Sequence, residues 1–185
     1  MSKMIITGHK EGIGKGITDA FSIMCNVVGY DLSEGKNVND PAVWDEFVED
    51  CADAEVIILN AHTGEQHLLL AELYATYKDQ DKLCIVLGSM VTQMYDEQEQ
   101  VPNEWNFGKY WDDKCKLDKQ VKKIQQAGQQ PFRVTIVRPG WVDTRLATEW
   151  KGKTLPVEAV VNVVRHIIIH RAVWHIPTFE VQVRE

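Results

Sequence analysis

Short apolar runs alternate along this chain with segments in which apolar side chains recur once per helical turn, the pattern of a parallel sheet flanked by crossover helices. Met4 to Thr7, Val27 to Asp31, Glu55 to Asn60, Lys82 to Gly88 and Arg133 to Arg138 read as buried strands, with Asn37 to Asn39 as a very short additional one. A final strand is expected within Val173 to Val183. Between the strands, Ile13, Ile17, Ala20, Phe21 and Met24 share one helical face, as do Val43, Trp44, Phe47, Val48 and Cys51 after an Asp40-Pro41 start. Leu68, Leu69, Glu72, Leu73 and Ala75 suggest a third helix, and Tyr110, Lys114, Leu117, Val121 and Ile124 a fourth that ends near Gly128. A fifth begins near Pro156 and carries Val157, Val160, Val161, Val164 and Ile168 on one side. The expected fold class is α/β, a Rossmann-like doubly wound parallel sheet with helices on both faces. The polar stretch from Gln93 to Asn103 is the one long loop, and the absence of a linker or repeat predicts a single domain over 1–185.

Composition adds exclusions. The 185 residues carry 20 Lys plus Arg against 27 Asp plus Glu, a net charge of −7. That balance argues against nucleic acid and anionic membrane as partners, because a phosphate-binding surface needs clustered cations. Cys25, Cys51, Cys84 and Cys115 form no CxxC pair, so neither a zinc ribbon nor a redox dithiol is expected, and reduced thiols fit a cytoplasmic protein. No apolar run reaches the ~20 residues that span a bilayer, and the first residues lack the order of a signal peptide. His166, His170 and His175 lack a carboxylate or fourth ligand, so no metal site is expected.

The first candidate chemistry lies between the first strand and the first helix, in Thr7-Gly8-His9-Lys10-Glu11-Gly12-Ile13-Gly14. Glycines at such a turn allow positive φ and close approach of a dinucleotide's pyrophosphate, while the helix N-terminus offers free N–H donors. A tight connection with no ligand explains the same glycines. Asp31, 17 residues beyond Gly14 at the end of the second strand, can accept hydrogen bonds from adenosine ribose hydroxyls and repels a 2′-phosphate. NAD is therefore preferred, although Lys10 near the loop leaves NADP open; a turn or cap role is the alternative for Asp31.

Tyr110 and Lys114 stand four residues apart, hence on one face of a helix, where a cation can stabilise a phenolate and make the phenol an acid or base. Ser89 follows an apolar strand and so emerges at the carboxyl end of the sheet, where open α/β sheets place their ligands. A solvated helix face and a turn residue are the plain alternatives for these groups.

Taken together in this order, the residues resemble the short-chain dehydrogenase/reductases. The TGxxxGxG turn matches Thr7, Gly8, Gly12 and Gly14; the NAG element looks like Asn60-Ala61-His62; the serine matches Ser89; YxxxK matches Tyr110 and Lys114; and PG-x-V-x-T matches Pro139, Gly140, Val142 and Thr144. The resemblance implies hydride transfer between a nicotinamide and a small alcohol or ketone. By similarity, Ser89 orients the substrate oxygen, Tyr110 exchanges its proton, and Lys114 lowers the Tyr110 pKa and holds the nicotinamide ribose. Thr7, Gly8, Gly12, Ile13, Gly14, Asp31, Asn60, Ala61, Pro139, Gly140, Val142 and Thr144 would line the cofactor. Met90, Met94, Trp141 and Trp150 would face the substrate, and a homodimer or homotetramer is implied.

The sequence also departs from that pattern. His62 replaces a glycine, with Gly64 close by; the helix asparagine of the family's proton relay is missing, and Thr63, Glu65, Gln66 and His67 occupy its region. Only 11 residues separate Thr144 from Pro156, which predicts an open or lightly lidded site. Two other functions stay in view: a nucleotide-binding sensor or scaffold that has lost catalysis, and an epimerase or lyase with a tightly held NAD.

Overall fold

The computed structural model describes residues 3–93, 107–128, 131–148, 150–173 and 175–183. Six strands form one sheet: β1 (Lys3–Thr7), β2 (Asn26–Tyr30), β3 (Val56–Leu59), β4 (Lys82–Leu87), β5 (Phe132–Pro139) and β6 (Thr178–Val181). Their order is β2-β1-β3-β4-β5-β6, and every neighbouring pair is parallel. The helices are α1 (Gly12–Phe21), α2 (Trp44–Asp50), α3 (Gln66–Tyr77), α4 (Phe107–Gln126) and α5 (Val157–His170). The expected doubly wound α/β architecture is observed.

The period of two along each strand divides the core into layers. Met4, Ile6, Val56, Ile58, Leu83, Ile85 and Val137 meet Ile17 and Phe21 of α1 and Val160, Val161, Val164 and Ile168 of α5. Ile5, Ile57, Leu59, Cys84, Val86 and Ile136 point the other way, onto Phe47, Leu69, Leu73, Leu117 and Val121 of α2, α3 and α4. Both faces of the central strands are dry, which is why they read as continuous apolar runs rather than alternating ones.

Local differences from the sequence reading have simple causes. Asn37 to Asn39 form no strand: the Asn37 side chain accepts the Asn39 N–H at 3.0 Å, an Asx turn that competes with sheet pairing. Met24 lies beyond the end of α1 and is exposed, because the N–H groups of Met24 and Cys25 fold back to the Phe21 carbonyl and end the helix. In α3, Leu68 is exposed while Leu69, Leu70, Leu73 and Tyr77 are buried. An unbroken Leu68-Leu69-Leu70 run cannot announce its inner face, and packing against α4 chooses it. The polar stretch from Gln93 to Asn103 lies almost wholly outside the described residues. No helix among the described residues is long and apolar enough to cross a membrane, and the four cysteines are free.

Chain order reverses at β1: the chain moves outward to β2, then crosses to β3 on the other side. The switch point therefore lies between the carboxyl ends of β1 and β3, the place where open α/β sheets form a ligand crevice.

Candidate active site

At this switch point the glycine turn is sewn to β3. The Thr7 hydroxyl oxygen accepts the N–H groups of Asn60 and Ala61, each at 3.0 Å. The Asn60 amide donates to the carbonyls of Thr7 at 3.1 Å and Gly8 at 3.0 Å. Gly8 and Gly12 have φ of +68° and +52°, a region that disfavours side chains. Gly14 is required by space: an added Cβ would stand 2.0 Å from the Gly8 carbonyl oxygen and 2.6 Å from the Asn60 amide nitrogen. Ile13 packs partly buried on the α1 side of the core.

The crevice fits a dinucleotide's diphosphate. Glu11 precedes α1 without capping it, so the first-turn N–H groups have no side-chain acceptor there. Glu11 instead meets Arg145 at 3.1 Å, and Thr144 approaches to 3.1 Å of the position a Cβ on Gly12 would take. The backbone that carries Thr144 is itself fixed. Pro139 ends β5, the Gly140 N–H donates to Val181 at 2.8 Å, and Val142 bridges Leu155 in parallel.

At the end of β2, Asp31 Oδ1 accepts the Ser33 N–H at 2.9 Å and the Ser33 hydroxyl at 2.7 Å. Asp31 thus caps the turn that follows the strand, the alternative its position left open. Burial pushes its carboxyl up, but the hydrogen bonds from Ser33 and from the Lys10 backbone outweigh this and hold it below the usual range. Lys10 is paired with Glu34 at 2.5 Å, and His9 Nε2 lies 3.4 Å from the same carboxylate.

Ser89, Tyr110 and Lys114 come together at the carboxyl end of β4. Ser89 closes the turn after that strand, where its hydroxyl oxygen accepts the Val91 N–H at 3.2 Å, and its side chain stands near enough to Tyr110 to influence the phenol. Burial raises the Tyr110 pKa, and the neighbouring Ser89 side chain opposes it. Lys114 is buried, with Nζ 5.8 Å from the centre of the Tyr110 ring. It donates to the Leu87 carbonyl at 2.8 Å and the Gln66 side-chain oxygen at 3.2 Å. Its pKa falls to about 8, chiefly through burial, with Asp118 and Asp113 pulling the other way. The pair sits on one helical face as the spacing requires, with the ammonium turned to the Leu87 and Gln66 acceptors.

His62 does intrude. Its ring lies edge-on to Tyr110 at 4.7 Å, and burial followed by the charge of Lys114 lowers its pKa to about 4, so it is neutral at pH 7. Gln66 occupies the relay region: its amide nitrogen donates to the Leu59 carbonyl at 2.7 Å while its oxygen receives Lys114. The sequence named Gln66 as one of four residues there, and its place as first residue of α3, directly beneath the Lys114 ammonium, singles it out.

Of the substrate-facing candidates, Trp141 and Trp150 stack at 4.5 Å with planes 11° apart, and Gly152 accommodates the Trp150 ring. Met90 is buried, its sulfur 3.5 Å from the Gln182 amide. Met94 lies outside the described residues. Among the described residues no cluster of metal-ligating side chains occurs.

No protein-family model matches this chain, and no curated protein sequence does. Solved structures do match in shape. A 3-α-hydroxysteroid dehydrogenase from Pseudomonas sp. complexed with NADH is similar at a TM-score of 0.72 and 14% identity, over 98% of this chain and 95% of that one. A short-chain dehydrogenase from Burkholderia cenocepacia in complex with NADP gives 0.73 and 12%, over 98% and 88%. An apo SCOR enzyme from Clostridium thermocellum gives 0.74 and 18%, over 98% and 91%. With its six-stranded parallel sheet and glycine turn at the switch point, this chain has the fold of the short-chain dehydrogenase/reductases.

Proposed function

We propose that the protein is a nicotinamide-dependent oxidoreductase acting on a small alcohol or ketone. The observation that carries this reading is the gathering of a hydroxyl, a phenol and an ammonium group at the carboxyl end of β4, beside a glycine crevice that fits a diphosphate. A bound nicotinamide dinucleotide supplies or accepts the hydride. The chain's own residues do the rest. The Ser89 hydroxyl donates to the substrate oxygen and fixes its position. Tyr110 gives its proton to that oxygen during reduction and takes it back during oxidation. Burial keeps the phenol protonated at neutral pH, ready to act as an acid. Lys114, mostly charged at pH 7, stabilises the phenolate left behind and can trade its Leu87 or Gln66 contact for a ribose hydroxyl.

The cofactor preference is for NAD. Asp31 is ionised at neutral pH, Glu34 stands beside it, and Lys10 is already occupied by Glu34, so the end of β2 opposes a further phosphate. The short segment between Thr144 and Pro156, whose Trp150 stacks on Trp141, leaves the substrate side lightly lidded.

The test is a panel of aldehydes and ketones assayed by NADH and NADPH absorbance, with dinucleotide binding read separately by fluorescence. Wild type is expected to oxidise NADH with at least one carbonyl. Tyr110→Phe is expected to lose about a hundredfold or more in turnover, the usual worth of a positioned acid, while NADH affinity changes less than about twofold. Binding of neither dinucleotide would overturn the reading; tight binding with no turnover of any carbonyl would leave a nucleotide sensor.

A further inference from the structure

One carboxylate outside the reactive trio touches every element that carries it. Asp118 lies one turn beyond Lys114 on α4 and is mostly buried. Its Oδ2 receives the Thr92 hydroxyl at 2.9 Å, Arg138 Nε at 3.1 Å and Arg138 Nη2 at 3.0 Å. Oδ1 is buried with no partner among the described residues. Thr92 belongs to the turn that Ser89 begins: its N–H reaches the Ser89 carbonyl at 3.4 Å, and its hydroxyl lies 3.2 Å from that carbonyl. Arg138 sits on β5 beside Gly88, where an added Cβ would stand 3.3 Å from the Arg138 stem, and its other nitrogen meets Glu180 of β6 at 3.5 Å.

We propose that Asp118 is the positioning residue of this site: its carboxylate clamps the Ser89 turn and strand β5 onto the face of α4 that presents Tyr110 and Lys114, and it faces Lys114 with negative charge. The assignment rests on the oxidoreductase reading for its purpose, but the clamp stands on contacts of its own. Ser89 and Tyr110 come from segments joined through residues 94–106, so their closeness depends on what holds the turn to the helix across space. Two charge-assisted links, Thr92 to Asp118 and Arg138 to Asp118, provide that hold in a mostly buried setting. The third effect is electrostatic. Lys114 faces Gln66 of α3, the Leu87 carbonyl of β4, His62, and Tyr110, Asp113 and Asp118 of its own helix; Asp118 is foremost among the groups that favour its charged form. Asp118 itself faces Thr92, Arg138, Lys114 and Cys115, with Glu180 beyond Arg138.

Two variants separate the mechanical and electrostatic parts. Thr92→Val cuts the link to the Ser89 turn and leaves the carboxylate; Asp118→Asn removes the charge and keeps an amide oxygen that can accept the Thr92 hydroxyl. Lysine NMR with the Lys114 signal assigned by its absence in Lys114→Met follows the ammonium, and amide hydrogen exchange follows the Val91 and Thr92 N–H groups. Asp118→Asn is expected to lower the Lys114 pKa by about half a unit or more. Thr92→Val should leave that pKa in place while speeding exchange at Val91 and Thr92 by about tenfold relative to β4 amides. A Lys114 titration unchanged by Asp118→Asn, or turn exchange unchanged by Thr92→Val, overturns the proposal. If Asp118→Asn does not fold, Thr92→Val decides alone through exchange. NADH binding by the wild type is measured in parallel: its absence would sink the oxidoreductase reading while the two NMR readouts still judge the clamp.

Discussion

Two lysines of this fold are buried, and they are buried differently. Lys82 opens β4 and sends its ammonium to three carbonyls, those of Cys51 at 2.9 Å, Ala52 at 2.7 Å and Ala54 at 2.9 Å. Its charge sits at the carboxyl end of α2, where the helix dipole and unpaired carbonyls want a cation. Lys3 of β1 serves the same end through the Asp50 carbonyl at 2.7 Å. Lys114 receives only two acceptors from the described residues, one of them a side chain. Burial depresses the pKa of both. A full set of backbone acceptors makes Lys82 a rivet. An incomplete set, with carboxylates nearby, leaves Lys114 able to take another partner, which is what a cofactor-holding lysine needs.

The largest expected effect comes from removing the rivet. Lys82→Met takes a donor from three carbonyls, of which that of Cys51 keeps the Ala54 N–H at 3.2 Å and that of exposed Ala52 can turn to water, so at about 1–3 kcal/mol for each buried unsatisfied group the loss should total about 2–4 kcal/mol. Chemical denaturation should show the fall in midpoint. NADH affinity of the folded fraction should not change, since Lys82 lies at the opposite end of β4 from Ser89. A variant as stable as wild type would erase the distinction between the two lysines.

Lys114 should show itself through pH. Its folded pKa of about 8 lies below the ordinary lysine value of 10.5. Between these values the unfolded chain holds a proton that the folded chain has released, so stability contributed by this group rises with pH across that window. Below about 8 both states are protonated and the burial cost is fully present. The rise should amount to about 1–3 kcal/mol. Subtracting the pH–stability curve of Lys114→Met from that of wild type removes the raised tyrosines and cysteines, which act in the opposite sense at high pH. A flat difference curve would mean that Lys114 is as well satisfied as a surface lysine.

The contrast also shows what the sequence could announce. Apolar runs and one-turn spacing located β1 to β5 and the five helices, because burial on one or both sides writes itself locally. Ser89, Tyr110 and Lys114 were legible as a set because each occupies a fixed place on a strand end or helix face. Lys82 was not: as a polar residue at the start of an apolar run it looks like a strand edge, and its role depends on carbonyls about thirty residues earlier brought alongside by packing. Asp118, Arg138 and Thr92 were silent for the same reason. Each is an unremarkable polar residue until the β4 turn, α4 and β5 meet. The orientation of Lys114 toward Leu87 was equally hidden, since spacing gives a face and not a partner.

The finest test lies at Gln66, whose side chain decides how complete the Lys114 shell is. Gln66→Leu takes an acceptor from Lys114 and the donor from the Leu59 carbonyl, at a cost of about 1–2 kcal/mol by denaturation. With less to favour its charged form, Lys114 should titrate lower than in wild type. Gln66→Glu moves the other way. A carboxylate against the ammonium should raise the Lys114 pKa and give it the settled pairing that Lys82 already has, while the Leu59 carbonyl still loses its donor. NADH should then bind about threefold to tenfold more weakly, because a ribose hydroxyl must compete with an ion pair instead of an amide. Equal affinity in wild type and Gln66→Glu would show that the lysine is not the group that meets the cofactor, and the difference between the two buried ammonium ions would then be one of packing alone.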